Sequence, residues 1–199
     1  AQYSLDGGAT WAAMSAADGA FDEVSEAVTA GAVAPAAAGI YDLCVRASDA
    51  AGNTGAASCA LFVVFNPDGG FATGGGWIDV GGEHANVGFV AKYKNDGSLE
   101  GSTQFHHQAG DLNFQSTSYD WLVIAAGGAS AELRGQGTVN GQMAPDGSSY
   151  QFTLSAGDGN PDTFRLRVWW LNNGVETVVF DNGASQPLGG GSIKIHQAN

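Results

Sequence analysis

The sequence predicts an all-β protein: an incomplete β-sandwich followed by a larger antiparallel β-sandwich or barrel. Three observations carry that reading. Glycine supplies 31 of 199 residues while only 14% are charged, a composition of short strands and many tight turns. Turn signals such as Asn95-Asp96-Gly97, Pro145-Asp146-Gly147, Asn172-Asn173-Gly174 and Asp181-Asn182-Gly183 recur between apolar runs. Period-two alternation is clear in Gly39–Ala47, where Tyr41, Leu43, Val45 and Ala47 alternate with Ile40, Asp42, Cys44 and Arg46.

The join Asn66-Pro67-Asp68-Gly69-Gly70 is a strong turn and linker signal, and it divides the chain into domains 1–66 and 67–199. The first contains one basic residue, Arg46, against seven acids. Its expected strands are Gln2–Leu5, Thr10–Met14, Phe21–Ala30, Ile40–Ser48 and Cys59–Phe65. Cys44 and Cys59 bracket an Asp-Ala-Ala-Gly-Asn turn, so two strands folded back around it would place them opposite each other within disulfide reach. A disulfide implies an oxidising compartment, and so an extracellular or cell-surface location.

YSLDGGATW followed by GIYDLCVRASDAAGNTG resembles the bacterial immunoglobulin-like domains of large surface proteins. An immunoglobulin-like sandwich has about seven strands over about 100 residues, whereas about five are legible here. Either an upstream segment supplies the rest, or a strand from another molecule completes the sheet by β-augmentation.

In the second domain the expected strands are Gly88–Tyr93, Ser102–His107, Leu112–Tyr119, Leu122–Ala125, Ala131–Val139, Tyr150–Ser155, Thr163–Trp170, Glu176–Phe180 and Ser192–His196. Glycine triplets at Gly74-Gly75-Gly76 and Gly189-Gly190-Gly191 bracket the domain and are expected to mark a bulge or close backbone contact. With GFVAKYK, DLNFQSTSYDWLV, DTFRLRVWW and GGGSIKIH in this order, residues 70–199 resemble the post-COAP domain family of secreted bacterial proteins. That resemblance implies a preceding immunoglobulin-like segment and no particular chemistry.

The formal charge of −13, with the basic residues scattered, argues against nucleic acid as a partner. No stretch approaches the roughly 18 to 20 apolar residues of a membrane span. No signal peptide is visible, so an exported protein would be a mature or trimmed form.

Ser4–Trp11 reads S-x-D-x-G-x-T-W and resembles the Asp-box of sialidases. A sialidase also needs repeated blades, an arginine cluster and further catalytic groups, so this copy is expected to be a structural hairpin and the protein not an enzyme. His106 and His107 adjoin in a strand and face opposite ways, His84 is expected in a Gly-rich loop, and His196 lies far along the chain. That scatter gives no transition-metal set. Asp158-Gly159-Asn160-Pro161-Asp162 offers Asp158, Asn160 and Asp162 as oxygen ligands for Ca²⁺, with Asp146 and Asp181 in other loops as possible additions. The alternative is that these residues simply make turns.

In Phe164–Trp170, Phe164, Leu166, Val168 and Trp170 are expected to face the core, leaving Arg165, Arg167 and Trp169 on the other face. An exposed Trp169 between arginines could stack on a sugar or a partner, or be covered by its own domain. The expected function is a non-enzymatic extracellular structural or adhesive protein of the bacterial surface. It would self-associate or pack against neighbouring domains, as a filament or assembly subunit completed by strand exchange. The alternative is a calcium-assisted carbohydrate-binding module with a glycan as ligand.

Overall fold

A computed structural model of the chain describes residues 1–64 and 70–197. The chain divides into two compact units, Ala1–Val64 and Phe65–Asn199. Of the join expected at residues 66–70, all but Gly70 lie outside the described residues. The all-β expectation holds: strands, paired antiparallel, are the regular structure of both units. Among the described residues no helix is long and apolar enough to cross a membrane.

The first unit contains β1 (Gln2–Ser4), β2 (Ala12–Ala13), β3 (Ser15–Ala16), β4 (Val28–Thr29), β5 (Gly39–Arg46) and β6 (Ser58–Val64). A four-stranded sheet runs β2-β1-β5-β6, and β3 and β4 form a separate two-stranded ladder. The strand expected over Phe21–Ala30 shrinks to Val28–Thr29, and that over Thr10–Met14 to Ala12–Ala13. Each pairs with its neighbour, β3 or β1, over only two residues, and in the rest of Phe21–Ala30 the exposed Phe21 and Val24 are not buried, so no apolar face fixes a longer strand.

Cys44 and Cys59 are register partners of β5 and β6 and form the expected disulfide, with Cα atoms 4.0 Å apart. The turn behind them closes as its residues suggest. Asp49 accepts from the amides of Ala51 and Asn53 and from the Asn53 side chain, all at 2.9 Å.

The second unit adds β7 (Phe71–Val80), β8 (Glu83–Tyr93), β9 (Leu99–His107), β10 (Leu112–Ile124), β11 (Ser130–Val139), β12 (Tyr150–Gly157), β13 (Thr163–Asn172), β14 (Val175–Asp181), β15 (Gln186–Pro187) and β16 (Gly190–His196). They make one sheet, β14-β13-β12-β11-β10-β9-β8-β7-β16, with β15 pairing β13 beside β14. The sheet is curled, because rings from strands far apart in its order meet across the interior: Phe89 with Phe164, and Phe105 with Phe180 at 4.5 Å. Inward residues of alternating strands, among them Phe105, Phe114, Phe152, Leu154, Leu166 and Ile193, are fully buried in one core.

Two expectations need correction, and a third, the close backbone contact at the glycine triplets, is met. Leu112–Tyr119 and Leu122–Ala125 are parts of one strand, β10, irregular at Ser116/Ser118 and at Tyr119/Trp121, where the break in alternation mimics a turn. The first glycine triplet lies inside β7, a strand with little alternation to reveal it, and the second opens β16. The two triplets meet at one register pair, Gly191 with Gly76, next to Gly190 with Trp77, where backbone approaches backbone closely. His84 sits on β8, opposite Asp79 of β7, and not in a loop.

Candidate functional site

The Asp-box turn uses its polar atoms locally. The Ser4 hydroxyl donates to Asp6 Oδ1 at 2.6 Å and accepts from the Gly8 amide at 2.8 Å. Asp6 also accepts from the Thr10 amide at 2.9 Å and from the Thr10 hydroxyl. The Ser4 and Thr10 hydrogen bonds hold its carboxyl well below the usual carboxylate range. Trp11 lies under the Arg46 guanidinium, 4.0 Å from its ring centroid. This is a clasped turn, each side chain facing the backbone it folds.

The loop 158–162 joins β12 to β13 and meets the outer edge of β16. Asp162 accepts the Ile193 amide at 2.7 Å and the Gly159 amide at 2.9 Å, while its own carbonyl accepts from Leu188. Asp158 accepts the Ile195 amide at 3.1 Å and the Lys194 ammonium at 2.8 Å. Lys194 and the Ile195 amide lower the Asp158 pKa; chiefly the Ile193 amide lowers that of Asp162. Alternate amides of an edge strand, Ile193 and Ile195, thus find acceptors in side chains where a sheet interior would offer a neighbouring backbone.

Asn160 precedes a cis Pro161 in the same loop. Among the described residues no group of three or more His, Cys, Asp or Glu is placed to hold a metal ion. Asp146 instead accepts from the Ser148 amide and hydroxyl, and Asp181 pairs with Arg165 at 3.1 Å.

Trp169 is on the outer face of β13, as expected, but only 4% exposed. Register places Arg134, Thr153, Arg167 and Asp181 in one row across β11–β14, with Trp169 in the next. The guanidiniums of Arg167 and Arg134 lie 4.7 and 5.4 Å from the Trp169 ring centroid and cover it. Arg134 pairs with Asp120, and Arg167 with Glu176 and Asp181. Of the two outcomes expected for Trp169, cover by its own domain is the one found, and β11 contributes to it an arginine that sequence spacing around Trp169 does not reveal.

The outer face of β7–β9 is different. Trp77 stacks on His84 with ring centroids 3.7 Å apart, and its other neighbours are Gly189 and Gly190, whose missing side chains leave it room. Register continues from Trp77 through Asn86 and His106 to Asn113. Glu83, His84, Asn86, His106 and Gln108 line an open cleft of about 390 Å³. Sequence spacing separated His84 from His106; antiparallel pairing brings their strands together.

In the first unit, the sheet face formed by Tyr3, Tyr41, Leu43, Val45, Phe62 and Val64 is apolar, yet each of these residues is only half-buried. Ala16 and Cys44 are the buried hydrophobic residues of this unit among the described residues. The edge strand β6 leaves Leu61 56% exposed on the opposite face.

These two units, one with a filled core and one without, define an all-β protein with an open sheet. No family model, curated protein or solved structure matches the chain.

Proposed function

We propose that this chain is a non-enzymatic structural or adhesive protein of the bacterial cell exterior, a subunit whose first unit is an immunoglobulin-like sandwich completed by a strand from a neighbouring copy. The observation that carries this is the partly exposed apolar face Tyr3–Tyr41–Leu43–Val45–Phe62–Val64 beside the edge strand β6, whose outer side is unpaired among the described residues. Burying a large apolar side chain fully contributes about 1.5–3 kcal/mol, so covering the remaining exposed part of these six offers about 3 kcal/mol, just under the lower end of what association costs. The backbone ladder of an added strand supplies the remainder and the specificity. The cross-strand disulfide fits an oxidising exterior.

The calcium-assisted sugar-binding alternative drew on Asp158, Asp162 and Trp169. The first two hold β16 and the third is covered, so this geometry does not favour it.

Electron microscopy and light scattering of the purified chain, with hydrogen exchange read in parallel, test the structural reading. Filaments or oligomers with protected β6 amides are expected. A monomer at all concentrations with a fully protected first unit would remove strand exchange.

A further inference from the structure

The polar side chains elsewhere on this molecule are largely spent on the protein itself. Asp6, Asp49, Asp96 and Asp146 close turns, and Asp158 and Asp162 hold β16. All six lysines and arginines of the second unit, Lys92, Lys94, Arg134, Arg165, Arg167 and Lys194, are ion-paired. The cleft on β8 and β9 stands out against that pattern. Glu83, His84, Asn86, His106 and Gln108 converge there, all exposed, and among the described residues none of these side chains makes a hydrogen bond or ion pair.

The lining selects the chemistry. No cation lies in the cleft to hold an anionic group, and the cations of the second unit are all paired elsewhere. Among the described residues no set of three His, Cys, Asp or Glu ligands is assembled for a metal. Two carboxamides and two imidazoles offer donors and acceptors together, the pattern that matches hydroxyl groups, which also do both. The stack on Trp77 holds the His84 ring flat, and Trp77 is in turn seated on Gly189 and Gly190. Such a ring offers one flat face in an open cleft otherwise lined mainly by polar groups, and about 390 Å³ lies within the usual size of small-ligand sites. A single carboxylate, Glu83, lines the cleft, where glycoside hydrolysis requires two carboxyl groups.

We infer that this cleft binds a neutral saccharide, its ring laid on His84 and its hydroxyls held by Asn86, His106, Gln108 and Glu83. Calcium plays no part in this site. It belongs wholly to the second unit and does not depend on completion of the first by a neighbour. A monomer that binds sugar would keep this inference while removing strand exchange.

Affinity electrophoresis of the full chain through gels containing a soluble α-glucan, β-glucan, mannan or galactan tests it, with hyaluronate as the acidic comparison. Retardation by at least one neutral polysaccharide is expected, unchanged by EDTA. Asn86→Ala and His84→Ala should each weaken it about tenfold, the loss of one or two well-made hydrogen bonds or of the stacking face. Thr177→Ala on β14 should leave it unchanged. Asn86 is exposed and makes no protein hydrogen bond, so Asn86→Ala carries the test even if His84→Ala disturbs Trp77. No retardation by any neutral polymer, retardation by hyaluronate alone, or binding that Asn86→Ala leaves intact would overturn the assignment.

Discussion

Replacing Gly76 by alanine should break the seam between β7 and β16, whereas the same change at Gly88 should not. A methyl group on Gly76 would stand 3.0 Å from both the carbonyl carbon of Gly190 and the Cα of Gly191, with the Gly190 oxygen closer still. Ordinary carbon–carbon contact lies near 3.5–4.0 Å. The obstacle is backbone, so no side chain can swing aside, and clearing the nearer Gly190 oxygen requires the strands to part by more than about 1 Å. Overpacking of this kind costs about 1–3 kcal/mol. Parting the strands also weakens two neighbouring ladder hydrogen bonds at about 1 kcal/mol each, for a total of about 3–5 kcal/mol.

Gly88 lies two positions beyond Asn86 on the same face of β8, with open space where its side chain would be. There alanine removes unfolded-state freedom and should stabilise by about 0.5 kcal/mol. Urea unfolding followed by tryptophan fluorescence reads both changes. A Gly76→Ala variant within about 0.5 kcal/mol of the parent would refute the close approach of the two glycine triplets.

Reduction of Cys44–Cys59 releases a loop of separation 15, worth about 3 kcal/mol to a unit that buries few apolar side chains. Exchange protection should fall in β5 and β6 while that of β10–β13 persists; unchanged β5 protection would contradict this. Asp158 and Asp162 titrate below the ordinary aspartate value in the folded chain, so their stabilisation is complete above about pH 4 and is lost as pH falls through their lowered values. Protection factors of the Ile193 and Ile195 amides, read by amide exchange, should therefore hold down to about pH 4 and drop as the pH falls further. Constant protection below about pH 4 would show that the carboxylates do not hold this edge.

Much of the molecule was legible from local pattern. Alternation in Gly39–Ala47 and Phe164–Trp170 assigned strand faces that the structure keeps, with Phe164, Leu166 and Val168 in the core and Trp169 outside it. The Asp49–Asn53 turn set the register that joins Cys44 to Cys59. Less of the candidate cleft was legible, since His84 and His106 are distant in sequence and β7, rich in glycine, carries little alternation. The cover over Trp169 was likewise hidden, because Arg134 reaches it from another strand.

Periodicity and turn chemistry act over a few residues, and through them the sequence by itself determined that this chain forms antiparallel strands, where many of them turn, and which faces are apolar. Tertiary structure alone decided how the long sheet curls. That curl brings the 158–162 loop to the free amides of β16 and sets one glycine triplet against the other, while strand register across β11–β13 lays Arg134 over Trp169. Each of these contacts joins residues far apart in the chain, and each depends on sheet register or closure, which no local pattern specifies.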